Sequence, residues 1–281
     1  MVGNFVLPPT GYGPGSQPDE GDGELEYMQM PQDMRTFSPR IPDVEGCEAL
    51  APALALMAEV AAAAAVAGQG GPNVQFDLAA LDAANRALVA ETMGEGEVAM
   101  RVHGIPAIAV QESVFAGVWM LSGAGVDAVE VGPVPQLALE RAFEPRMLPK
   151  SHAAPRGPGV VNAPPLLVEL EDKSATFDPA ATDMHLHTVN LTLLPHTEED
   201  LAWLDAAMGK GAVEILSRGY GNCRITATAL PHVWRVQFYN STDQLILDTF
   251  EVVSLPEVAL AAREDLTDSG ARLVEVLEAI R

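Results

Sequence analysis

The feature that most constrains how this chain folds is that its second half repeats its first. One fixed offset carries Trp119 onto Trp234, and the same offset superposes a run of methionine, glycine and valine residues that precedes each tryptophan. The pairs, first copy before second, are Met93 and Met208, Gly94 and Gly209, Gly96 and Gly211, Val98 and Val213, and Gly104 and Gly219. Repeats this long are typical of two tandem domains of one fold, because the units of a solenoid are much shorter.

Composition divides the 281 residues into four segments. Residues 1–46 are rich in glycine, proline and acidic side chains, so they have too little apolar surface to offset the chain entropy lost on folding. We predict a flexible, disordered acidic arm there, followed by a first repeat over residues 47–145. Residues 146–165 are rich in proline, which restricts the backbone and predicts an extended interdomain linker. The second repeat is predicted over residues 166–281.

The pattern of strands and helices predicts an α+β fold, in which each repeat is a mainly antiparallel sheet with helices packed on one face. In the second repeat the predicted strands are 212–217, 223–230, 233–239 and 244–253. They follow one another too closely for the long crossover that parallel strands require. Thr197 and Asp200 have the spacing of a capping box at the start of a helix over residues 198–208. The apolar run 166–170 predicts a further short strand, and a closing helix is predicted to begin at Pro256.

Net charge and cysteine content argue against several classes of function. The formal net charge of −23 disfavours nucleic acids and anionic membranes as partners, because their phosphate-rich surfaces repel an acidic chain. Cys47 and Cys223 lack the spacing of a zinc site, so we predict neither a disulfide framework nor a resident cofactor. Residues 50–67 are apolar, but Pro52 and the central Glu59 favour a buried alanine-rich helix over membrane insertion. The N-terminus does not resemble a secretion signal, which makes the cytoplasm the expected location.

A basic stretch in the second copy indicates a candidate contact surface. Between Ser217 and Asn240 there are three arginines and no carboxylate, in a chain with 39 acidic residues. Strand alternation places these polar side chains on the face opposite Trp234. The planar guanidinium suits carboxylates and backbone carbonyls, although pairing with acidic residues of the same chain is the alternative interpretation. The predicted partner-binding residues are Arg218, Tyr220, Asn222, Arg224, Arg235, Gln237 and Tyr239.

Two further groups of residues suggest chemistry, and we predict that neither makes the protein an enzyme. Cys223 is a candidate redox or client contact, and His232 is the nearest candidate base. Buried free cysteines are common, however, and Cys223 falls on the apolar face of its predicted strand. His185 and His187 project from the same side of a predicted strand, with His196 following, and form the alternative metal site. Because no further ligand has a recognisable spacing, we predict no resident metal.

The second repeat contains, in this order, the segments ILSRGYGNCRITAT, VWRVQFYN and LILDTFEVV. Together they resemble the carboxy-terminal signature of the HupH, HoxQ and HyaF family of nickel–iron (NiFe) hydrogenase expression proteins. The resemblance is strongest from His196 to Arg281 and extends more weakly into the first copy.

The resemblance implies a cytoplasmic, non-catalytic accessory chaperone in the maturation of an uptake NiFe hydrogenase. It implies binding of the iron–sulfur small-subunit precursor and protection of its cluster-ligand region before export. It also implies a thioredoxin-like companion of the HupG or HoxO type, and it brings no catalytic residues. The alternative is a metallochaperone that delivers nickel or iron through a histidine and cysteine site.

Overall fold

The computed structural model describes residues 47–179, 186–219 and 221–280, so the predicted arm over residues 1–46 lies outside the described part of the chain. The helices are α1 (Ala51–Gly68), α2 (Ala83–Met93), α3 (Gln136–Arg141), α4 (Ala163–Thr176), α5 (Glu198–Met208) and α6 (Arg263–Ile280). The strands are β1 (Val74–Asp77), β2 (Val98–Val102), β3 (Ile108–Glu112), β4 (Val118–Gly123), β5 (Val126–Val131), β6 (His187–Asn190), β7 (Val213–Ser217), β8 (Asn222–Ala227), β9 (Val233–Tyr239) and β10 (Leu245–Val252). Short 3-10 turns occupy Cys47–Leu50, Ser151–Ala153, Leu191–Leu193 and Glu257–Ala259.

The ten strands of the described chain form one antiparallel sheet with the order β1-β5-β4-β3-β2-β7-β8-β9-β10-β6. The first repeat contributes the order 1-5-4-3-2, and the second contributes the equivalent order 6-10-9-8-7. The copies meet where β2 pairs with its equivalent β7, with Val98 opposite Ser217 and Val102 opposite Val213. An antiparallel pair of equivalent strands is what a two-fold relation between the copies produces. The predicted duplication and the α+β class are confirmed, and the copies share a single sheet.

Alternation along the strands gives the sheet two faces. The face that we call face A carries Arg101, Glu214, Arg224 and Gln237. Helices cover both ends of it, because α1, α2 and α6 pack over β4 and β5, while α4 and α5 pack over β9 and β10. Five of the six helices found in the described ranges therefore lie on one face, as predicted.

The opposite face, which we call face B, is mainly apolar, carries Glu130 and Glu251 beside the tryptophans, and is partly covered by α3 and by the turn Glu257–Ala259. Its core includes Trp119 and Trp234, both 0% exposed. The indole N–H of Trp119 donates to the Gly132 carbonyl at 2.8 Å, and that of Trp234 donates to the Ser254 carbonyl at 3.2 Å. The two residues that match in the sequence repeat thus occupy equivalent positions in the core.

Helix α1 is long and apolar enough to meet a membrane-span criterion of length and composition, yet it packs against the C-terminal helix α6. At the contact, a Cβ atom added to Gly270 would lie 2.9 Å from the Ala61 carbonyl oxygen. Small residues permit this approach, since interaxial distance depends on the side chains at the crossing. Leu266, Leu273 and other apolar residues of α6 are buried in the same core as α1. The last helix of the second repeat thus completes the core of the first.

The predicted strand over residues 166–170 is wrong, because these residues lie inside α4. Leu167 and Leu170 are buried at helical spacing, and proline in the first turn starts the helix. A short apolar run fits a strand or a buried helix equally well, so the pattern alone did not decide between them. Helix α4 also begins within residues 146–165, which contain a 3-10 turn at Ser151–Ala153 as well as extended backbone.

The predicted start of the closing helix is wrong as well. Pro256 precedes only a 3-10 turn, and α6 begins at Arg263. Between the two, the N–H of Ala261 donates to the carbonyl of Pro133 at 2.9 Å, which holds the chain against the first repeat before the helix starts. That contact joins residues far apart in sequence, so local capping signals did not reveal it.

Candidate docking surface

The middle of face A is a trough that the flanking helices leave open, and we call it the central trough. Its floor spans β3, β2, β7, β8 and β9, and it contains adjoining cavities of about 440 Å³ and 480 Å³. Side chains from both repeats line it: Arg101, Gln111, Leu216, Arg224, Thr226 and Gln237. An open sheet surface between two groups of helices is a candidate site for a polypeptide segment.

Arg224, Gln237, Asn222 and Tyr239 lie on face A, where strand alternation predicts them. Arg224 pairs with Gln237 across β8 and β9, and Asn222 pairs with Tyr239 at the end of the same hairpin. The guanidinium carbon of Arg224 lies 6.0 Å from the centre of the Tyr239 ring, within the range of a cation–π contact. The side chain of Arg224 is exposed and points into the trough cavities.

Arg235 also lies on face A, but α5 covers it and its guanidinium is bound within the protein. Its Nε and Nη2 donate to the two carboxylate oxygens of Asp248 at 3.0 and 2.7 Å, and Nη1 donates to Asp205 Oδ1 at 2.9 Å. Burial alone lowers the pKa of Arg235, but the hydrogen bond to Asp248 and the charge of Asp205 raise it overall. For this residue the structure matches the alternative of pairing within the chain, and Arg235 ties α5 to the sheet.

Arg218, another predicted contact residue, lies at the turn between β7 and β8. Arg218 is exposed, and its backbone N–H donates to the Glu97 carbonyl at 3.1 Å. Tyr220 lies outside the described residues. This turn is at the end of the strands rather than on the trough floor, so Arg218 is at its margin.

Arg101 is the trough residue that the sequence analysis missed. It stands opposite Glu214, but Glu214 binds Arg146 Nη2 at 2.6 Å and lies 3.5 Å from His103 Nε2. No ion pair with Arg101 or Arg224 is found within the described ranges, although Glu214 lines the same cavities. Arg101 lies in the first repeat, outside the carboxylate-free stretch of residues 217–240, but the burial of Val98 and Val102 on either side of it indicates by strand alternation that it faces the trough.

Cys223 is in the core of face B, 1% exposed, and does not line the trough. Burial, with a smaller effect from the charge of Glu251, raises the pKa of its thiol to about 12. No hydrogen bond joins Cys223 to His232 among the residues that the structure describes; the His232 ring instead packs against Phe143 and Phe177, with centroids 5.4 and 4.7 Å away. Since the thiolate is the reactive form of cysteine, this position does not favour thiol chemistry.

We expect Cys223 to resist alkylation in the folded protein. At a pH of about 8 the Cys223 thiol is almost entirely protonated, because that pH is far below its raised pKa, and iodoacetamide reacts with the thiolate. Peptide mass spectrometry should find Cys223 unmodified in buffer and fully modified in guanidinium chloride, with glutathione in the same tube as the reactivity control. Modification of Cys223 in buffer as fast as glutathione would contradict the buried position.

The candidate metal-binding histidines are not brought together in the described structure. His187 Nε2 lies 2.9 Å from Glu169 Oε1 on α4, which ties β6 to that helix. His196 is partly buried with Nδ1 lacking a hydrogen-bond partner, and His185 lies outside the described residues. Among the residues with described positions, no group of three histidine, cysteine, aspartate or glutamate side chains has the arrangement of a metal site.

Comparison with known proteins places this architecture in a family. The family model described as the C-terminal conserved region of HupH hydrogenase expression protein matches two segments, residues 50–144 and 160–280, which correspond to the two repeats. The chain is 65% identical over 281 residues to the hydrogenase expression/formation protein HupH of Rhodobacter capsulatus, covering 100% of both chains. It is 42% identical to HoxQ of Cupriavidus necator over 99% of this chain and 98% of that one, and 32% identical to the hydrogenase-1 operon protein HyaF of Escherichia coli over 95% and 94%. With a match across both repeats and relatives that align from end to end, the chain belongs to the HupH family of hydrogenase expression proteins.

Proposed function

We propose that this protein is a non-catalytic accessory chaperone in the maturation of a NiFe hydrogenase. In this proposal it binds the iron–sulfur small-subunit precursor in the central trough and shields the cluster-ligand region before export. It acts in the cytoplasm beside a thioredoxin-like companion of the HupG or HoxO type, as the family resemblance implies. The relatives named as hydrogenase expression/formation proteins support the pathway, and the trough supports binding of a polypeptide.

The observation that carries the proposal is the pair of exposed arginines that the two repeats place in one open trough. In a chain with a net charge of −23, Arg101 and Arg224 have no ion-pair partner among the described residues. Each guanidinium offers five N–H donors, which suit backbone carbonyls and carboxylates of a bound segment. Leu216 and Met120 add apolar area between and beside them. Arginine with apolar floor residues is the composition of a protein-binding surface.

Reversal of both charges, with Arg101→Glu and Arg224→Glu in one variant, should weaken precursor binding about tenfold or more, because central arginines dominate such interfaces. Biolayer interferometry with immobilised precursor gives the dissociation constant at low and at physiological salt. Protection is measured in parallel as the rate at which the precursor's ligand cysteines become oxidised in air, with and without the chaperone.

The charge-matched control is the double variant Arg86→Glu and Arg263→Glu, which changes net charge equally on exposed helix positions outside the trough and also removes the surface ion pair of Arg86 with Asp127. The control should bind the precursor as the wild type does. Equal affinity for the trough variant and the wild type, or equal loss in both double variants, would refute the trough as the binding site. Unchanged oxidation rates despite tight binding would refute protection while leaving binding intact.

A further inference from the structure

Face B has an open groove on the second repeat, at the place where the first repeat has a smaller cavity of about 400 Å³ lined by Asn73, Glu130 and Gln136. The groove has a volume of about 710 Å³ and lies between β9, β10 and the segment that leads into α6. We call it the edge groove. Its walls are mainly apolar, and the side chains that matter here are Leu186, Phe238, Glu251, Leu255, Val258 and Leu260.

Glu251 is one of the three carboxylates that line the edge groove, and the sequence repeat gives it an equivalent, Glu130. Each stands opposite its repeat's core tryptophan, Glu130 opposite Trp119 and Glu251 opposite Trp234. The two glutamates therefore occupy equivalent positions in the two repeats. The hydrogen-bond donors around Glu130 and around Glu251 can therefore be compared directly.

In the first repeat, neighbouring groups donate two hydrogen bonds to the carboxylate. Glu130 is 4% exposed, and its Oε1 accepts a hydrogen bond from Asn73 Nδ2 at 2.7 Å and another from the backbone N–H of Gln136 at 2.8 Å. The second bond comes from the first turn of α3, so the helix closes over the sheet. A carboxylate at this position thus takes two N–H donors when they are present.

In the second repeat, both donors are missing. Leu186 stands at the position of Asn73, one residue before the strand that pairs with β10, and it is 59% exposed. Glu257 stands at the position of Gln136, in a 3-10 turn that donates no hydrogen bond to Glu251. Glu251 has only a long contact of 3.4 Å from the Thr249 hydroxyl, and burial raises its pKa. A half-buried carboxylate without a cation is costly unless a ligand supplies the missing donors.

The charge and the apolar surface of the edge groove together define the kind of ligand that it can bind. The three carboxylates of the edge groove, Glu251, Glu257 and Asp265, have no ion-pair partner within the described ranges. Leu186 and Leu260 are exposed at its rim, 59% and 40%, with Phe238 and Val258 deeper inside. A ligand that complements these features carries apolar side chains around a cationic N–H donor.

We propose that the edge groove binds a polypeptide segment of a partner protein in which apolar side chains flank one arginine or lysine, whose cation meets Glu251. The donor of the partner takes the place that Asn73 and the Gln136 N–H occupy in the first repeat. This site is on the face opposite the central trough, so the proposal stands whether or not the trough binds the precursor.

The test uses a short fluorescein-labelled peptide of leucines and serines with one central arginine, and a second peptide with citrulline in its place. Citrulline keeps the shape of arginine and removes its charge. Fluorescence anisotropy with the full chain should show the arginine peptide binding about tenfold more tightly than the citrulline peptide, as expected for a close charge pair. Glu251→Gln should abolish that difference and leave citrulline binding unchanged.

Two further variants separate binding from folding. Glu251→Gln should melt at the wild-type temperature or above, because the removed charge has no cation partner. Leu186→Asn supplies Glu251 with the amide that Asn73 supplies to Glu130, and it should weaken the arginine peptide selectively. Glu264→Gln, an exposed carboxylate outside the lining of the groove, is the matched control and should bind as the wild type does.

Equal affinities for the arginine and citrulline peptides in the wild type would overturn the proposal, and so would an arginine preference that survives Glu251→Gln. Self-association of the wild type that Glu251→Gln abolishes would assign the groove to a second copy of this chain, which also overturns it. A selective loss in both Glu251→Gln and Leu186→Asn, with normal melting, supports the site.

Discussion

Replacement of Trp119 or Trp234 by alanine is expected to destabilise the protein by about 3–5 kcal/mol in each case. Both side chains are 0% exposed on face B, and each donates its indole N–H to a backbone carbonyl. Alanine removes the packing and leaves a carbonyl without its donor, so the cavity and hydrogen-bond losses add. Urea unfolding followed by circular dichroism gives the free energy of unfolding for each variant.

Phenylalanine variants provide a graded control for this prediction. Trp119→Phe and Trp234→Phe retain most of the apolar volume but lose the N–H donor, so each should cost less than its alanine variant. Leu139→Ala, at a side chain 39% exposed, should change stability by only about 0.5 kcal/mol. If one tryptophan tolerated alanine as well as Leu139 does, the two positions would not be equivalent parts of a duplicated fold.

Replacement of Asp200 by alanine is expected to cost about 3 kcal/mol or more, because it leaves several donors without an acceptor. Asp200 is 0% exposed, and its Oδ1 accepts the backbone N–H groups of Val161, Asn162 and Ala163 at 2.8, 2.9 and 2.9 Å. Its Oδ2 accepts the N–H of Thr197 at 3.1 Å, which completes the predicted capping box. One carboxylate thus holds the first turns of α4 and α5 together.

The pH dependence of this contribution has a definite sign. Burial by itself raises the pKa of Asp200, but the backbone N–H groups of Ala163, Thr197, Val161 and Asn162 lower it overall. In the unfolded chain aspartate has a pKa of about 4, and in the folded protein the pKa of Asp200 is lower. The ionised carboxylate therefore stabilises the fold at pH values above about 4, and this stabilisation is lost as the pH falls through the pKa of the folded state.

The stability gap between the wild type and Asp200→Asn should therefore be constant near neutral pH and shrink below a pH of about 4. Urea unfolding at a series of pH values measures the gap. Glu198→Ala, in the same helical turn but exposed, is the control and should cost less than about 1 kcal/mol. A gap that stays the same down to the lowest pH, or an alanine variant as stable as the control, would contradict this role.

The arginines show how far local pattern extends. Alternation along β8 and β9 correctly places Arg224, Gln237 and Tyr239 on one face, because side-chain direction in a strand depends only on neighbouring residues. Alternation does not tell which of the side chains on that face remain exposed and which are paired within the chain. Arg235 shares that face with Arg224, but α5 brings Asp205 over it, while nothing comparable covers Arg224.

The errors in secondary structure have the same origin. The run 166–170 is compatible with two structures until its neighbours are known, and packing beneath α4 selects the helix. At the closing helix, the hydrogen bond from Ala261 to Pro133 delays the start beyond the local capping signal. In both places a contact between distant residues overrides a weak local preference.

By itself, the sequence determined the duplication, the antiparallel α+β class, the faces of the strands and the family. These features depend on repeats, motifs and patterns that can be identified from the order of the residues alone. Only the tertiary structure decided that equivalent strands β2 and β7 join the copies into one sheet, that Arg101 and Arg224 share a trough, and that Glu251 lacks the donors that Glu130 has. The physical reason is that strand pairing across repeats, helix coverage and the satisfaction of a buried charge all depend on groups that meet only when the whole chain has folded.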